Sequence, residues 1–586
     1  MITKQIVSGP SDARADGAEP WTFRAASTMG FAAAVARFTE QFDLVGWLNA
    51  RLPWDPAQCH LSPGTRLCAT AMAFLVDPQA LYKMTEFYQE FDCEVLFGAG
   101  VRAEDFTDDA FGRALLKFLE ANPPKLFAEL SAAMIAAWNL PATDEAHADT
   151  TTVTLTGAYA GADAPAPPAS EAPPDASLLP PPKVARPAYG HNKDGKNACK
   201  QLVAGIVARA DGIPIAVNVN DGNLEDSVWT RRTIRELSAL LEQHPKILFV
   251  ADSKMVNEPT LDVLYAHDVW YVSRLPNSFG VGARVKLQAV EQARWKRVGR
   301  IAQDPDGATY AVWETTETIG KRSVRLIVVK SSALAKKAQA TVPMQQEKMG
   351  QQWDREARRL ERQRFDCDAD ARKAFSAWQA KSRAWAWWTG HGELVPTDRR
   401  RRRPGGGHLL TVTEWRWQIT RGEANPEIVE QETVLRSLFV LIANAPEHSA
   451  PQLLAAYKRQ APAEIDHHLV KGPLGVAPVF LKDPAKITAY VYVVYIALLI
   501  WQVMQVVARR NAEQWKILLP YPNGQLQPAV TTQRIKEILS KIQILRLQQG
   551  TTIRRALSED KITWLERVAC MLLGVKIHTL AWLPSG

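Results

Sequence analysis

Between Asp149 and Val272 the chain alternates strand-like and helix-like stretches in an order that few folds accommodate. Asp149-Thr-Thr-Thr-Val-Thr-Leu-Thr alternates with period two and is rich in β-branched residues, which predicts a strand. Gln201–Ala208 and Ile213–Val219 predict two more, joined by a hairpin with Asp-Gly at the tip of Arg209-Ala-Asp-Gly212. A helix over Glu225–Glu242, a strand over Lys246–Ala251 ending at Asp252, a helix over Pro259–Ala266 and a fifth strand over Val269–Val272 complete the run. Residues 162–188 lie between the first two strands and hold nine prolines and many alanines. That composition builds no core and predicts a mobile loop within a domain.

Three antiparallel strands, then helix, strand, helix and strand, is the order of an RNase H-like sheet. In that fold the first strand carries one acid, the strand after the first helix a second, and a later helix a third. Asp149 at the start of strand one and Asp252 just past strand four fit the first two places. The third falls in Ala455–Lys471, where Tyr457, Glu464 and Lys471 are spaced by seven. Seven residues are about two helical turns, so the three would share one face. The carboxylate suits a metal, and the phenol and ammonium suit phosphates. Glu464 follows Asp252 by 464 − 252 = 212 residues, too many for a loop, which predicts an inserted domain.

The insert spans 276–445. It contains strand-like Tyr310–Thr315 and Ser323–Val329, a charged helix from Gln345 to Lys381, and Trp385, Trp387 and Trp388. The run Arg399–Arg403, Gly405-Gly-Gly407 and strand-like Leu409–Ile419 and Leu438–Ile442 follow. The arginines read first as a solvated loop and second, through Arg400 and Arg401, as contacts to phosphate.

Around this lie a flexible tail (1–30), a helical region (31–140) that reads either as a plain bundle or as a DNA-end-binding domain, and a small C-terminal module (511–586) with a helix over Thr531–Leu547. The interrupted core occupies 141–275 and 446–510. A chain of 586 residues exceeds one core, so several domains are expected. Hydrophobic residues at 46% and charged ones at 23% exclude disordered and fibrous classes. The formal charge of +8 is a mild bias compatible with a polyanion partner. Six scattered cysteines without a C-x-x-C pair argue against a zinc site or a disulfide framework. With an N-terminus lacking an apolar signal core, they predict a reducing cytoplasm, with the protein at the nucleoid. Ala489–Trp501 is unbroken apolar sequence but too short to span a bilayer, so a buried helix and no membrane partner are expected.

With these residues in place the chain resembles the DDE transposases of bacterial insertion sequences, in the superfamily typed by insertion sequence four. Asp149-Thr-Thr-Thr is similar to the first-acid motif, and Val250-Ala-Asp-Ser-Lys-Met-Val256 to the second. Tyr189-Gly-His-Asn-Lys-Asp-Gly-Lys, through Lys200-Gln201 to Gly222-Asn223, is similar to the next two core strands. Tyr457 to Pro473 resembles the tyrosine–arginine–glutamate–lysine helix. Leu61-Ser-Pro-Gly, Leu96-Phe-Gly and Asp108-Asp-Ala-Phe-Gly-Arg113 resemble the helical domain that precedes such cores.

The resemblance implies that Asp149, Asp252 and Glu464 bind two Mg²⁺ ions, with Mn²⁺ a substitute, and cut and rejoin DNA. It implies that Tyr457, Lys471 and Arg459 hold cleaved-strand phosphates; His191 with Lys193 reads either as structural or as lying near DNA. The partners implied are double-stranded terminal inverted repeats and target DNA, bridged by a homodimer. The chain departs from the family pattern in two places: Gln460 stands at the arginine position, and Pro462 sits two residues before Glu464. A helix restarting at Pro462 would let Arg459 take the missing role. Otherwise the chain is a weakened or inactive DNA-binding descendant; an RNase H-like structure-selective nuclease is the other alternative. His467 and His468, without partners at ligand spacing, are expected to face DNA or solvent.

Overall fold

A computed structural model describes residues 20–157, 159, 184–241, 247–301, 307–402, 409–459, 461–472, 474, 479–558 and 561–584. The fold is mixed α/β with a helical N-terminal region. It has two compact units. One is Met1–Ala251, Asp262–Val269 and Arg459–Gly586; the other is Asp252–Leu261 and Trp270–Lys458.

The first unit opens with strand β1 (Thr22–Thr28), inside the stretch expected to be a flexible tail. Helices follow: α1 (Gly30–Glu40), α2 (Leu44–Asn49), α3 (Pro63–Val76), α4 (Met84–Gln89), α5 (Cys93–Phe97), α6 (Asp108–Glu120) and α7 (Pro123–Ala137). Their starts obey local chemistry. The Ser62 side chain accepts from Thr65 N with Pro63 in the first turn of α3, and Thr107 caps α6 through Ala110 N.

The strands come next: β2 (Glu145–Leu155), β3 (Lys200–Arg209), β4 (Pro214–Asn220), then helix α8 (Asp226–Leu241) and β5 (Leu248–Ala251). Their order is β4-β3-β2-β5, with β2–β3 and β3–β4 antiparallel and β2–β5 parallel. Asp149 is therefore not at the start of its strand. β2 begins four residues earlier, because Glu145–Ala148 pair with Leu248–Ala251.

The second unit holds α9 (Glu258–Ala266) in part, β6 (Trp270–Arg274), α10 (Gly280–Gln292), β7 (Lys296–Arg300), β8 (Thr309–Ile319) and β9 (Arg322–Ser331). It continues with α11 (Ser332–Glu361), α12 (Asp368–Lys381), α13 (Arg383–Trp387), β10 (Trp388–Arg402), β11 (Leu409–Ala424), α14 (Pro426–Arg436), β12 (Leu438–Asn444) and α15 (Ala450–Lys458). β6-β12-β9-β8-β7 is antiparallel throughout. The expected fifth core strand is thus compact with this unit, where β6 pairs with β12. The single charged helix expected over Gln345–Lys381 is two helices, broken at 362–367, where Phe365 bridges to Trp415 of β11.

The chain returns to the first unit with α16 (Ala461–Lys471) and α17 (Pro484–Trp515). In α17, 89% of the most apolar window is buried, so length and composition that would cross a membrane here make a core helix. The remaining elements are β13 (Leu519–Pro520), β14 (Leu526–Gln527), α18 (Thr532–Leu539), β15 (Gln543–Gln549), β16 (Thr552–Leu557) and α19 (Trp564–Leu572). The helix expected over Thr531–Leu547 stops at Leu539. β15 replaces its second half because β1 pairs on one side of that segment and β16 on the other. Met29 N donates to Ile542 O, and Arg555 pairs with Asp92 and Glu94. Residues 511–586 therefore share one hydrophobic core with α1–α7 and α17 instead of standing apart.

Candidate active site

β2 is buried along almost its whole length, yet it is rich in polar side chains, and each needs a partner. Glu145 accepts from Arg459 Nε at 3.1 Å and meets His147 Nε2 at 3.1 Å. Burial would raise the Glu145 carboxyl, but the His147 and Arg459 hydrogen bonds and the guanidinium charge outweigh it and hold it at about 2. Arg459 is raised in turn by the same hydrogen bond. Thr150 Oγ1 donates to Asp226 Oδ1 at 2.6 Å, at the first residue of α8. Thr152 Oγ1 accepts from Lys193 N at 3.2 Å, and Thr154 Oγ1 from Asn192 Nδ2 at 3.1 Å.

Alternate threonines of β2 thus hold the loop containing His191, Lys193 and Asp194. Glycine lets that loop lie flat. A Cβ on Gly190 would come 2.4 Å from Gly222 O, and one on Gly222 1.9 Å from Gln201 O, so neither position admits a side chain. Ala188 and Gln201 bridge across the same place. In the proline-rich segment expected to be mobile, residues 162–183 lie outside those described. Residues 184–188 are docked: Ala185 N donates to Thr488 Oγ1, and Arg186 forks onto Asp221.

Asp149 is a quarter exposed. Its Oδ1 lies 3.5 Å from Lys193 Nζ, and its Oδ2 lies 3.6 Å from His467 Nε2. His467, expected to face DNA or solvent, is buried, and burial drops its imidazole to about 4, partly opposed by the Asp149 charge. Among the described residues neither of its ring nitrogens has a hydrogen-bond partner. His468 is exposed. Next to His467, Asp466 is buried and raised well above the carboxylate range by that burial, even though Gln502 of α17 donates to it.

Asp252 follows β5 directly. It is exposed, and its Oδ1 accepts from Ser253 Oγ at 2.7 Å and Lys254 N at 3.2 Å. The last residue pair of the parallel β2–β5 ladder is Ala148–Ala251, and the residues that follow these two in the chain are Asp149 and Asp252.

Tyr457, Glu464 and Lys471 do not share one helix. Tyr457 is on α15, whereas Glu464 and Lys471 are on α16, which starts at Ala461 with Pro462 in its first turn. Proline cannot continue a helix inward without losing a hydrogen bond, so the break falls before it. Gln460 and the side chains of Pro462 and Glu464 lie outside the described residues. Arg459 is engaged with Glu145, Lys471 Nζ donates to Asp194 Oδ1 at 2.5 Å, and Tyr457 lies 6.2 Å from the Phe439 ring. His191 is exposed. Among the described residues no three His, Cys, Asp or Glu side chains form a ready cation cage. The side chains that follow the last pair of the β2–β5 ladder are nonetheless carboxylates, the hard oxygen donors that Mg²⁺ takes.

The arginine run is not a loop. Arg399–Arg402 continue β10, pairing with Val412, Thr411, Leu410 and Leu409 of β11. Residues 396–400 are exposed, including Arg399 and Arg400; Arg403 lies outside the described residues. The tryptophans nearby pack the base of this ribbon instead of facing solvent. Trp353 stacks on Trp385 at 5.7 Å, Trp387 is buried, and Arg421 lies over Trp388 at 4.4 Å.

A family model described as a transposase DDE domain matches residues 149–500, more than half of the chain. The chain belongs to the DDE transposases. A second model, a domain of unknown function (DUF4277), matches residues 25–132 of this transposase, the region of α1–α6 and the start of α7. No curated protein matches it. The match to the transposase domain opens on Asp149 itself and runs through α16 into α17. Thr150 and His467, which border Asp149, and Asp226, tied to it through Thr150 and Lys193, are not among the residues the sequence singles out for this site. The alternation of Thr150, Thr152 and Thr154 carried the one available signal, because buried hydroxyls on one strand face imply polar partners.

Proposed function

We propose that this transposase cleaves DNA at transposon ends and joins the freed end to target DNA, using Asp149, Asp252 and Glu464 on an RNase H-like core. The observation that carries the reading is the parallel β2–β5 ladder, whose final pair is followed on both strands by an aspartate. Two Mg²⁺ ions bound there would activate the attacking oxygen and stabilise the leaving one.

In the first step water adds to phosphorus as the P–O3′ bond breaks. This leaves a 5′-phosphate and a 3′-hydroxyl, the water proton passing to solvent and the leaving oxygen taking one up. In the second, that 3′-hydroxyl attacks a target phosphodiester and displaces its 3′-oxygen, so bond number is conserved.

The chain's own residues set the geometry. Asp466 and Lys471 anchor the Glu464 helix to Gln502 of α17 and to Asp194. Arg459, two residues before that helix, ties the chain to Glu145, at the foot of the strand carrying Asp149. This anchoring is the role we assign Arg459, in place of phosphate binding. The exposed arginines of β10, Arg400 among them with Arg401 next to it, are assigned to duplex DNA, the partner of a homodimer bridging two ends.

The test is cleavage of duplex carrying the transposon ends, in Mg²⁺ or Mn²⁺. Wild-type protein should nick and strand-transfer it, and Asp149→Ala, Asp252→Ala and Glu464→Ala should each abolish both while keeping DNA binding. Cleavage without joining would indicate a structure-selective nuclease. Binding without cleavage by the wild type would indicate an inactive descendant.

A further inference from the structure

The Lys193 ammonium does not point outward to a phosphate. It donates to Thr150 O and, at 2.8 Å, to Thr150 Oγ1. It also lies 3.5 Å from Asp149 Oδ1 and 3.8 Å from Asp226 Oδ2. Thr150 Oγ1 in turn donates to Asp226 Oδ1 at 2.6 Å, so the hydroxyl between them ties lysine and second carboxylate together. The lysine backbone is fixed as well, since its N–H donates to Thr152 Oγ1. One cation is therefore held between two carboxylates by a strand that also carries the first catalytic acid. Its side chain is only 27% exposed.

Two carboxylates drawn toward one place repel unless a positive charge lies between them. A metal could supply that charge, but here a side chain already does. We propose that Lys193 is a resident cation that keeps Asp149 and Asp226 in place in the metal-free transposase, and that a divalent ion binding Asp149 must displace its ammonium. Lys193 is in this sense a positioning residue, acting on the reaction through Asp149. The displaced ammonium, on its four-carbon stem, is then available to a DNA phosphate. Metal loading and DNA engagement are thereby coupled, and metal binds weakly when DNA is absent.

This inference rests on the assignment of Asp149 as a metal ligand, and calorimetric titration of Mn²⁺ into the DNA-free full chain separates the two. Asp149→Ala should lose the binding step; if it binds as wild type does, the assignment itself fails. Lys193→Met should bind Mn²⁺ about tenfold more tightly than wild type, a modest value for like charges a few ångströms apart in a partly wet site. Lys193→Arg keeps the charge and should bind as weakly as wild type. Thr150→Val unclamps the ammonium without changing charge and should tighten binding by about two- to threefold, a smaller step in the same direction. That variant also serves if Lys193→Met fails to fold. Loss of Mn²⁺ binding in Asp149→Ala together with unchanged or weaker binding in Lys193→Met would overturn the proposal. If only Thr150→Val can be measured, unchanged binding there would do the same.

Discussion

β2 and the β10–β11 ribbon are both long strands loaded with polar and charged residues, and they use them in opposite ways. Along β2 most of the polar side chains are paired: Glu145 with Arg459 and His147, Thr150 with Asp226, Thr152 and Thr154 with the 191–197 loop. Among the described residues of the distal ribbon, Thr413 donates to Asp398 at 3.0 Å and Arg399 lies 3.8 Å from Glu414, while residues 396–400 are exposed. The first arrangement fixes a carboxylate in a single geometry, as chemistry requires. The second leaves charge on the distal part of a long ribbon, suited to a polyanion whose contacts need not be exact.

The contrast can be broken most sharply at Asp149. Asp149→Ala should reduce metal-dependent cleavage by at least about 10³-fold, as loss of a metal ligand does, with thermal unfolding little changed. Equal losses of activity and stability would mean that Asp149 is structural like its neighbours. A smaller effect is expected at Glu145. Glu145→Gln leaves Arg459 without its charge partner and should cost about 2 kcal/mol, less than a fully buried pair because the guanidinium is half exposed. Urea unfolding of the two proteins checks this.

Acid should expose the same buried network in two stages. His467 is held at about 4 against an unfolded value near 6.5. The unfolded chain therefore binds a proton first, and stability falls as pH drops from about 6.5 to 4, by at most about 3 kcal/mol. Glu145, held at about 2, contributes stability that is present above about 4.5 and lost as pH falls toward 2. His467→Leu should flatten the first stage and leave the second; a curve unchanged by that substitution would show that the imidazole is not the titrating group.

The smallest effect belongs to the ribbon. Arg400→Ala with Arg401→Ala should leave unfolding unchanged, weaken duplex binding several-fold, and lower the salt dependence by about 0.9 per lost phosphate contact. A change in stability instead would place these arginines with the scaffold.

The contrast also explains what was legible in the sequence. Strands with clean period-two or apolar patterns, such as β3 and β9, were readable because burial imposes their pattern locally. Asp252 was legible because it ends an apolar run. β15 was not, since Gln543–Gln549 is a mixed polar stretch whose strand is held between β16 and Thr22–Thr28, the latter more than five hundred residues away. The arginine run was misread for a related reason: charged residues in a two-stranded ribbon look like a loop until the partner strand is known. The seven-residue spacing of Tyr457, Glu464 and Lys471 assumed one helix, whereas Pro462 begins a second. Around Asp149 the acids were visible, but Lys193, Asp226 and His467 come from three other segments and meet only in the fold.

The central claim is that Asp149 and Asp252 hold the same metal. A crystal of the transposase soaked in Mn²⁺ and recorded at the manganese edge tests it directly. The account predicts anomalous density about 2.0–2.3 Å from carboxylate oxygens of both aspartates, with Glu464 completing the shell. Density at one aspartate alone, or only at sites remote from both, would contradict it.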